Sequence, residues 1–352
     1  KVNSKTLDGS RNDLKIIEIN IEEKPTGEVS AGAGVGTNGG TIAFNITENN
    51  WLGEGKQIGL DFEMSEEAVK GQFTYTNPNY DLLGNSVSYN IRNTTNDKPD
   101  QGYENSIFGI GASTSFEQYN NVFTNLGINL SYDDLRTTSN ASSSLQKQSG
   151  EFAEFSANYG FKYDRRDRSF MPTSGSIISF NQILPIYADK PFIDNTITAS
   201  FYNSFSENYI GSSKFLISAI AGINDEDVRV SKRKTLSTRR LRGFERGKVG
   251  PVDSDDHIGG NYSASANFDL SLPNFLPESS NTDVSLFLDF GNVWGVDYDD
   301  TIDDGSKLRS STGLSASWIS PVGPMTFTLS QNLSKASTDK TESFNFNLGT
   351  TF

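Results

Sequence analysis

Apolar and polar residues alternate with a period of two along almost the whole chain. In Gln57–Met64, residues Ile58, Leu60, Phe62 and Met64 share one face, and Gln57, Gly59, Asp61 and Glu63 share the other. In Val122–Tyr132, the face of Val122, Leu126, Ile128, Leu130 and Tyr132 opposes Asn125, Gly127, Asn129 and Ser131. In Tyr262–Leu272, Tyr262, Ala264, Ala266, Phe268, Leu270 and Leu272 oppose Ser263, Ser265, Asn267, Asp269 and Ser271. The end of the chain repeats this, with Phe344, Phe346, Leu348 and Phe352 against Asn345, Asn347, Gly349 and Thr351. Successive side chains of a strand point to opposite faces, so these runs predict strands with one apolar face. Sixteen such strands are predicted, near 28–36, 41–49, 56–64, 69–77, 84–93, 104–116, 122–133, 151–163, 175–184, 194–206, 213–224, 259–272, 282–294, 307–318, 322–331 and 343–352. Leu14–Glu22 reads as a further strand, with no preceding domain to pair with.

A soluble β-sandwich also alternates, with its apolar face inward. Two features favour a transmembrane barrel. Several predicted strands run to roughly 10–14 residues, against about 5–6 in globular sheets and about 9–11 needed to cross a bilayer. The polar faces are rich in Asn, Ser, Gly and Asp, as a wet lumen requires. Sixteen is even, as in single-chain bacterial barrels. If the first strand runs outward, the long or polar connections 94–103, 134–150, 225–258, 295–306 and 332–342 all fall outside the cell. The turns Asn50–Gly55, Glu117–Asn121 and Ser320–Pro321 fall on the periplasmic side. That alternation of long and short connections is the rule for such barrels. Trp51, Tyr80, Tyr119, Phe170, Phe275, Trp318 and Phe352 then lie at the periplasmic ends, like one interfacial aromatic belt.

Composition alone suggests a soluble acidic protein: 352 residues, net charge −14, 34% hydrophobic and a mean hydropathy of −0.48. A barrel explains the low hydropathy, because only alternate residues face lipid and the loops are polar. No apolar run approaches the roughly 18 residues of a membrane helix, and the first residues show no signal-peptide pattern. The absence of Cys excludes disulfides, thiolate metal sites and cysteine nucleophiles. An acidic chain is a poor general nucleic-acid binder. His257 is the lone His, so no Ser-His-Asp constellation exists; it reads as a loop residue beside Asp255 and Asp256. Asp297, Asp299, Asp300, Asp303 and Asp304 could supply oxygen ligands to a cation, but without EF-hand spacing they read as a solvated external loop. Gly32–Gly40 precedes no helix and is not a nucleotide loop.

The 225–258 connection is long enough to suggest a function. It holds a basic cluster, Lys232, Arg233, Lys234, Arg239, Arg240, Arg242, Arg246 and Lys248, around Leu241-Arg242-Gly243-Phe244. Across the sequence, Phe287-Leu288-Asp289-Phe290-Gly291 alternates so that Phe287, Asp289 and Gly291 point to the lumen, as Asp269 does on the preceding strand. Here the chain resembles the BamA family of outer-membrane protein assembly factors, within a superfamily that includes TamA-like and two-partner secretion transporters. The Arg-Gly-Phe loop and the Phe-x-Asp-x-Gly strand are two of its motifs. Others are similar to Asn50-Trp51-Leu52-Gly53-Glu54-Gly55, Thr76-Asn77-Pro78-Asn79-Tyr80, Asp164–Gly175, Gly259-Gly260-Asn261 and Trp318-Ile319-Ser320-Pro321-Val322-Gly323-Pro324. The resemblance covers residues 14–352. It departs at Phe352, where some members have Trp, and in external loops shorter than those of enterobacterial members.

The resemblance implies a loop folded back into the lumen, with Arg242 paired to Asp289 and Asp269 as a second acceptor. A guanidinium can hold a carboxylate in a bidentate fork, which Lys cannot. It also implies that residues 1–27 are the tail of a last periplasmic POTRA domain plus linker, that 28–352 form the barrel, and that the chain is a fragment of a longer protein. The seam between the first and last strands would then be a lateral gate for clients. Glycines at 32, 34 and 36 weaken the first strand, and Gly349 allows a bend where Phe352 leaves the ladder. Asn345 and Asn347 complete the expected seam. The implied partners are unfolded outer-membrane proteins, accessory lipoproteins reached through POTRA domains, and outer-membrane lipid with lipopolysaccharide. No cofactor, metal or catalytic residue is expected. A TamA-like or two-partner secretion pore and a general porin remain as alternatives, with a mitochondrial relative and an outer-membrane protease behind them.

Overall fold

The computed structural model describes residues 2–11, 13–22, 24–37, 39–169, 171–206, 209–273, 282–320 and 323–348. Its strands are β1 (Val2–Asp8), β2 (Lys15–Ile21), β3 (Gly27–Gly36), β4 (Gly39–Trp51), β5 (Lys56–Ser65), β6 (Ala68–Asn77), β7 (Ser86–Lys98), β8 (Tyr103–Tyr119) and β9 (Val122–Thr137). They continue with β10 (Gly150–Asp164), β11 (Gly175–Ala188), β12 (Phe192–Ser206), β13 (Tyr209–Gly222), β14 (Tyr262–Ser271), β15 (Thr282–Trp294), β16 (Arg309–Ser320), β17 (Gly323–Ser334) and β18 (Phe344–Leu348). β1 and β2 pair with each other as a separate two-stranded sheet. β3 to β18 form a closed antiparallel barrel of sixteen strands, each paired to its chain neighbours and β18 to β3.

The barrel is inside out by the standard of a soluble protein. Apolar side chains of alternating positions, such as Ile42, Phe44, Ile46, Leu60, Phe62, Ile128 and Leu130, are exposed on the outer face. Polar ones, such as Ser263, Asn267, Asp289 and Ser311, are buried inside. An apolar surface of this extent is stable only against hydrocarbon. Closing the sheet pairs its backbone groups around the ring, which a bilayer demands. On the outer face Phe201, Phe215, Phe268 and Phe290 pack edge to face from strand to strand, with ring centroids 5.9–6.4 Å apart.

The wall is not of even height. β8 has 17 residues and β9 has 16, whereas a membrane crossing needs about 9–11. The predicted loop 94–103 is therefore mostly strand. β7 runs to Lys98 and β8 starts at Tyr103, with Gly102 turning at φ 73°. The expected 185–193 connection shrinks likewise, since β11 reaches Ala188 and β12 starts at Phe192. Alternation fades in Asn93–Asp97 because a strand that has left the membrane meets polar surroundings on both faces. Pattern therefore underestimates strand length there.

Two devices fix the ends of this wall. On the periplasmic side, the turn before β11 is tied by Asp167, whose carboxylate accepts from Thr173 N (3.0 Å), Thr173 Oγ1 (2.7 Å) and Ser174 N (3.2 Å). Gly175 closes it at φ 95°, with Arg165 O only 2.1 Å from where a Cβ would sit. On the extracellular side, Tyr103, Leu135, Ala141, Leu145, Val230 and Ile258 form a small apolar core, with Phe152, Val296, Tyr298 and Ile302 packed against it. This dome roofs the lumen and seats the start of the long 223–261 connection.

Candidate functional site

The 223–261 connection enters the barrel as a basic thread through an acidic lumen. Near the dome, Arg229 faces Asp133 of β9 (3.4 Å) and Glu154 of β10 (3.6 Å), with its guanidinium 4.2 Å from the centre of the Phe152 ring. Lys232 reaches Glu154 (3.0 Å), Lys234 reaches Asp194 of β12 (2.5 Å), and Arg233 pairs with Asp297. Lys248 reaches Asp100 (2.9 Å). The loop's positive charge thus meets acids of the inner wall and rim, which accounts for a basic cluster in a chain of net charge −14.

At the tip, Arg242 is gripped from several directions. Its Nε and backbone N donate to Asp289 Oδ2 (2.7 and 3.0 Å), its Nη2 to Asp289 Oδ1 (2.6 Å), and its Nη1 to Asp269 Oδ1 (2.7 Å). The guanidinium lies 3.8 Å from the centre of the Phe287 ring. Asp289 is fully buried. A bidentate, charge-assisted pair with a stacked ring fixes both position and orientation. Gly243 takes φ 86°, a conformation that glycine adopts without strain, and its carbonyl accepts from Asn332 Nδ2 (2.9 Å). Phe244 is buried with Leu236, Leu241, Val249 and Val293. Gly291 leaves the space for this: a Cβ there would lie 2.9 Å from Leu236 and 3.2 Å from Leu241.

Beneath the tip is a cavity of about 490 Å3, lined by Arg168, Lys214, Arg239, Asp283, Asn345 and Asn347 among others. It borders the seam. Among the described residues, β18 meets β3 only at Asn347↔Gly36 and Leu348↔Val35. By contrast, β8 and β9 pair from Tyr103↔Thr137 to Tyr119↔Val122. Gly36 is needed there, since a Cβ would sit 2.6 Å from Phe346 O. Thr37 N donates to Phe346 O (3.0 Å), and Asn345 Nδ2 donates to Thr37 Oγ1. Gly32 and Gly34 are paired to Ala43 and Thr41 of β4, and none of the described β18 residues reaches them. Gly349 and Phe352 lie outside the described residues, as do Phe170 and Phe275 of the expected aromatic belt.

The acidic loop reads differently in three dimensions. Asp300 and Asp303 are exposed, as expected of a solvated loop, but Asp297, though itself exposed, is bonded: besides Arg233 it accepts from Val228 N (3.0 Å) and Asn261 Nδ2 (2.8 Å). Asp304 accepts from Val296 N (2.8 Å), and Asp299 from Thr301 and from Ser144 (2.9 Å). These carboxylates tie the dome together. Among the described residues, no group of three or more His, Asp or Glu could hold a metal ion. His257 is buried in the dome, and burial lowers its pKa, with Lys248 and Lys340 adding to the effect. Sequence reasoning missed Asp133 and Glu154, although both fall on the inward parity of their strands. It also missed Arg309 of β16, whose Nε and Nη2 hold Asp339 at 2.9 Å each in a fully buried fork.

A sixteen-stranded barrel, apolar outside, with a long loop bonded into its lumen, defines a transmembrane β-barrel whose pore is occupied from within. The model of the Omp85 superfamily domain matches residues 50–352, and the chain belongs to that superfamily. It is similar to the outer membrane protein assembly factor BamA of Neorickettsia risticii, 26% identical over 96% of this chain and 46% of that protein. The structure resembles that of BamA from Haemophilus ducreyi lacking POTRA domains 1–3, with a TM-score of 0.90, 24% identity, and coverage of 100% of this chain and 75% of that one. CdiB from Acinetobacter baumannii is a more distant likeness, with a TM-score of 0.58, 12% identity, and coverage of 99% and 66%. The chain spans less than half the length of the curated relative. It is a bacterial outer-membrane barrel.

Proposed function

We propose that this chain is the barrel of an outer-membrane protein assembly factor that folds and inserts client barrels through the seam between β3 and β18. The observation that carries the reading is the contrast in pairing: two described pairs at the seam, against at least five between any other two neighbouring strands of the wall, and sixteen between β8 and β9. An opened seam exposes backbone N–H and C=O groups that can template a client strand. The mechanism is strand exchange, and no bond is made or broken by a side chain. Arg242, Gly243 and Phe244, with Asp289, Asp269, Phe287 and Gly291, act as a latch that keeps the loop in the lumen and the β14–β16 wall rigid while the seam works. Unfolded outer-membrane proteins are the clients, and the surrounding lipid and lipopolysaccharide are the solvent for the new strands. The assembly-factor name of the 26%-identical relative supports this reading.

Residues 1–27 fit the tail of a POTRA domain. The β1–β2 ribbon leaves Ile16, Ile17, Ile19 and Ile21 exposed, and a lone two-stranded ribbon is at best marginally stable. Accessory lipoproteins would engage that periplasmic part. An open porin accords poorly with a lumen threaded by an ion-paired loop.

The test is a disulfide lock at Val35→Cys/Leu348→Cys in the full-length protein, with Ala112→Cys/Ile128→Cys between β8 and β9 as the control. The chain has no Cys of its own. Oxidation should stop client insertion in proteoliposomes for the seam pair alone, and reduction should restore it. Undiminished insertion with a fully oxidised seam would refute the proposal.

A further inference from the structure

The latch and the seam are joined by a short stretch of sheet. The loop tip pairs edge to edge with residues 339–342, which lead directly into β18. Glu342 N donates to Gly243 O (3.1 Å), Glu245 N to Lys340 O (3.1 Å) and Lys340 N to Lys248 O (3.2 Å), around an antiparallel bridge between Phe244 and Thr341. Ser330 of β17 adds two bonds, from its Oγ to Glu342 O and from its N to Ser343 O, both 2.9 Å. The far end of the stretch is anchored by Asp339. Its carboxylate fills the Arg309 fork and accepts from Ala336 N (2.6 Å), and Arg309 Nη1 is bonded to Asn292 Oδ1 and Lys307 O (2.7 Å each). From β18, Asn345 reaches both ways, back to Glu342 Oε1 (2.9 Å) and across the seam to Thr37.

The lead-in to β18 and its edge toward β3 are therefore held unequally. Its extracellular lead-in is tied to the loop, to β16 and to β17, while its free edge meets β3 at two described pairs. We infer that residues 339–342 are the fixed pivot of the seam: β18 parts from β3 by swinging about this end, and the ribbon between the loop and residues 340–342 stays intact throughout. Arg309 and Asp339 are positioning residues that set the pivot. The inference rests on the seam reading above and adds to it the part that does not move.

The experiment compares two disulfides in the full-length protein in proteoliposomes. Glu245→Cys/Lys340→Cys joins the residues next to the Phe244–Thr341 bridge, which share the Glu245 N to Lys340 O bond; facing antiparallel residues lie about 4.5–5.5 Å apart at Cα, a spacing that suits a disulfide. Its oxidised form should insert clients at a rate within about twofold of its reduced form, while oxidised Val35→Cys/Leu348→Cys is inactive. If the ribbon lock also stops insertion, and reduction restores it, the ribbon must part and the pivot is overturned with the seam reading intact. If the seam lock is active, the seam reading falls and the pivot with it. A second arm uses Asp339→Ala. Barrel folding, read by heat-modifiable electrophoretic mobility, should be retained, and cross-linking of Val35→Cys/Leu348→Cys should fall severalfold. Unchanged cross-linking in a folded Asp339→Ala barrel would also overturn the pivot.

Discussion

The β8–β9 wall and the β3–β18 seam are built from the same kind of strand, yet they differ in almost every way that holds strands together. The wall pairs along strands of 16 and 17 residues, continues above the membrane, and is capped by the dome core. The seam pairs at two described positions and needs glycine at 36 to close at all. Antiparallel pairing is strengthened by cross-strand side chains, and glycine supplies none. The difference teaches that a closed barrel can concentrate its stability away from one edge, which is what the proposed opening of the seam requires. The in-folded loop does much of that concentrating, because its ion pairs fall on β9, β10, β12, β14 and β15 and none of those described falls on β3.

The largest expected effect comes from Arg242→Ala. It strands the fully buried Asp289 carboxylate, and removing one partner of such a pair costs about 3–5 kcal/mol. Urea unfolding in micelles should show the loss, and Arg242→Lys should recover only part of it, since an ammonium cannot make the fork. Next is Gly291→Val, which would push branched carbons into Leu236 and Leu241. Overpacking of this kind costs about 1–3 kcal/mol, and trypsin should then cut the loop at Arg239 or Arg240 faster. On the other side of the comparison, Gly36→Val should separate the seam without unfolding the wall. Planar-bilayer recordings should show more frequent open events, whereas Gly111→Ala in β8, whose added Cβ meets only the flexible Asn90 amide at 3.0 Å, should not change them.

The smallest effect is a matter of pH. Hydrogen bonds from Thr173 and Ser174 hold the Asp167 carboxyl at a pKa of about 2, below its ordinary 3.8. A depressed carboxylate stabilises the turn fully above pH 3.8, and that contribution is lost as pH falls through about 2. Amide signals of Thr173 and Ser174 should therefore hold steady down to pH 4 and move only below it.

Period-two alternation was enough to read the sixteen strands, their inside-out polarity and the inward parity of Asp289 and Asp269. The pattern ran short in Asn93–Asp97, where strands leave the membrane and lose an apolar face. Arg242 stood out because its neighbours resemble a family motif. Arg309 and Asp339 did not, since a charge at a strand end and another in a loop carry no local sign that they will meet. Nor could the bridge between Phe244 and Thr341 be read from the chain, because it joins two segments of irregular backbone. The acids Asp133 and Glu154 were legible in principle: inward parity plus a charge asks for a partner, and a basic loop was available.

The central claim is that the seam is the weakest pairing in an otherwise welded wall. Amide hydrogen exchange of the barrel in nanodiscs tests it most directly, because exchange reports local opening strand by strand. The account predicts that amides of Val29–Val35 in β3 that point toward β18 exchange at least about tenfold faster than those of Phe108–Ala112 in β8. Equal protection of the two stretches would contradict it.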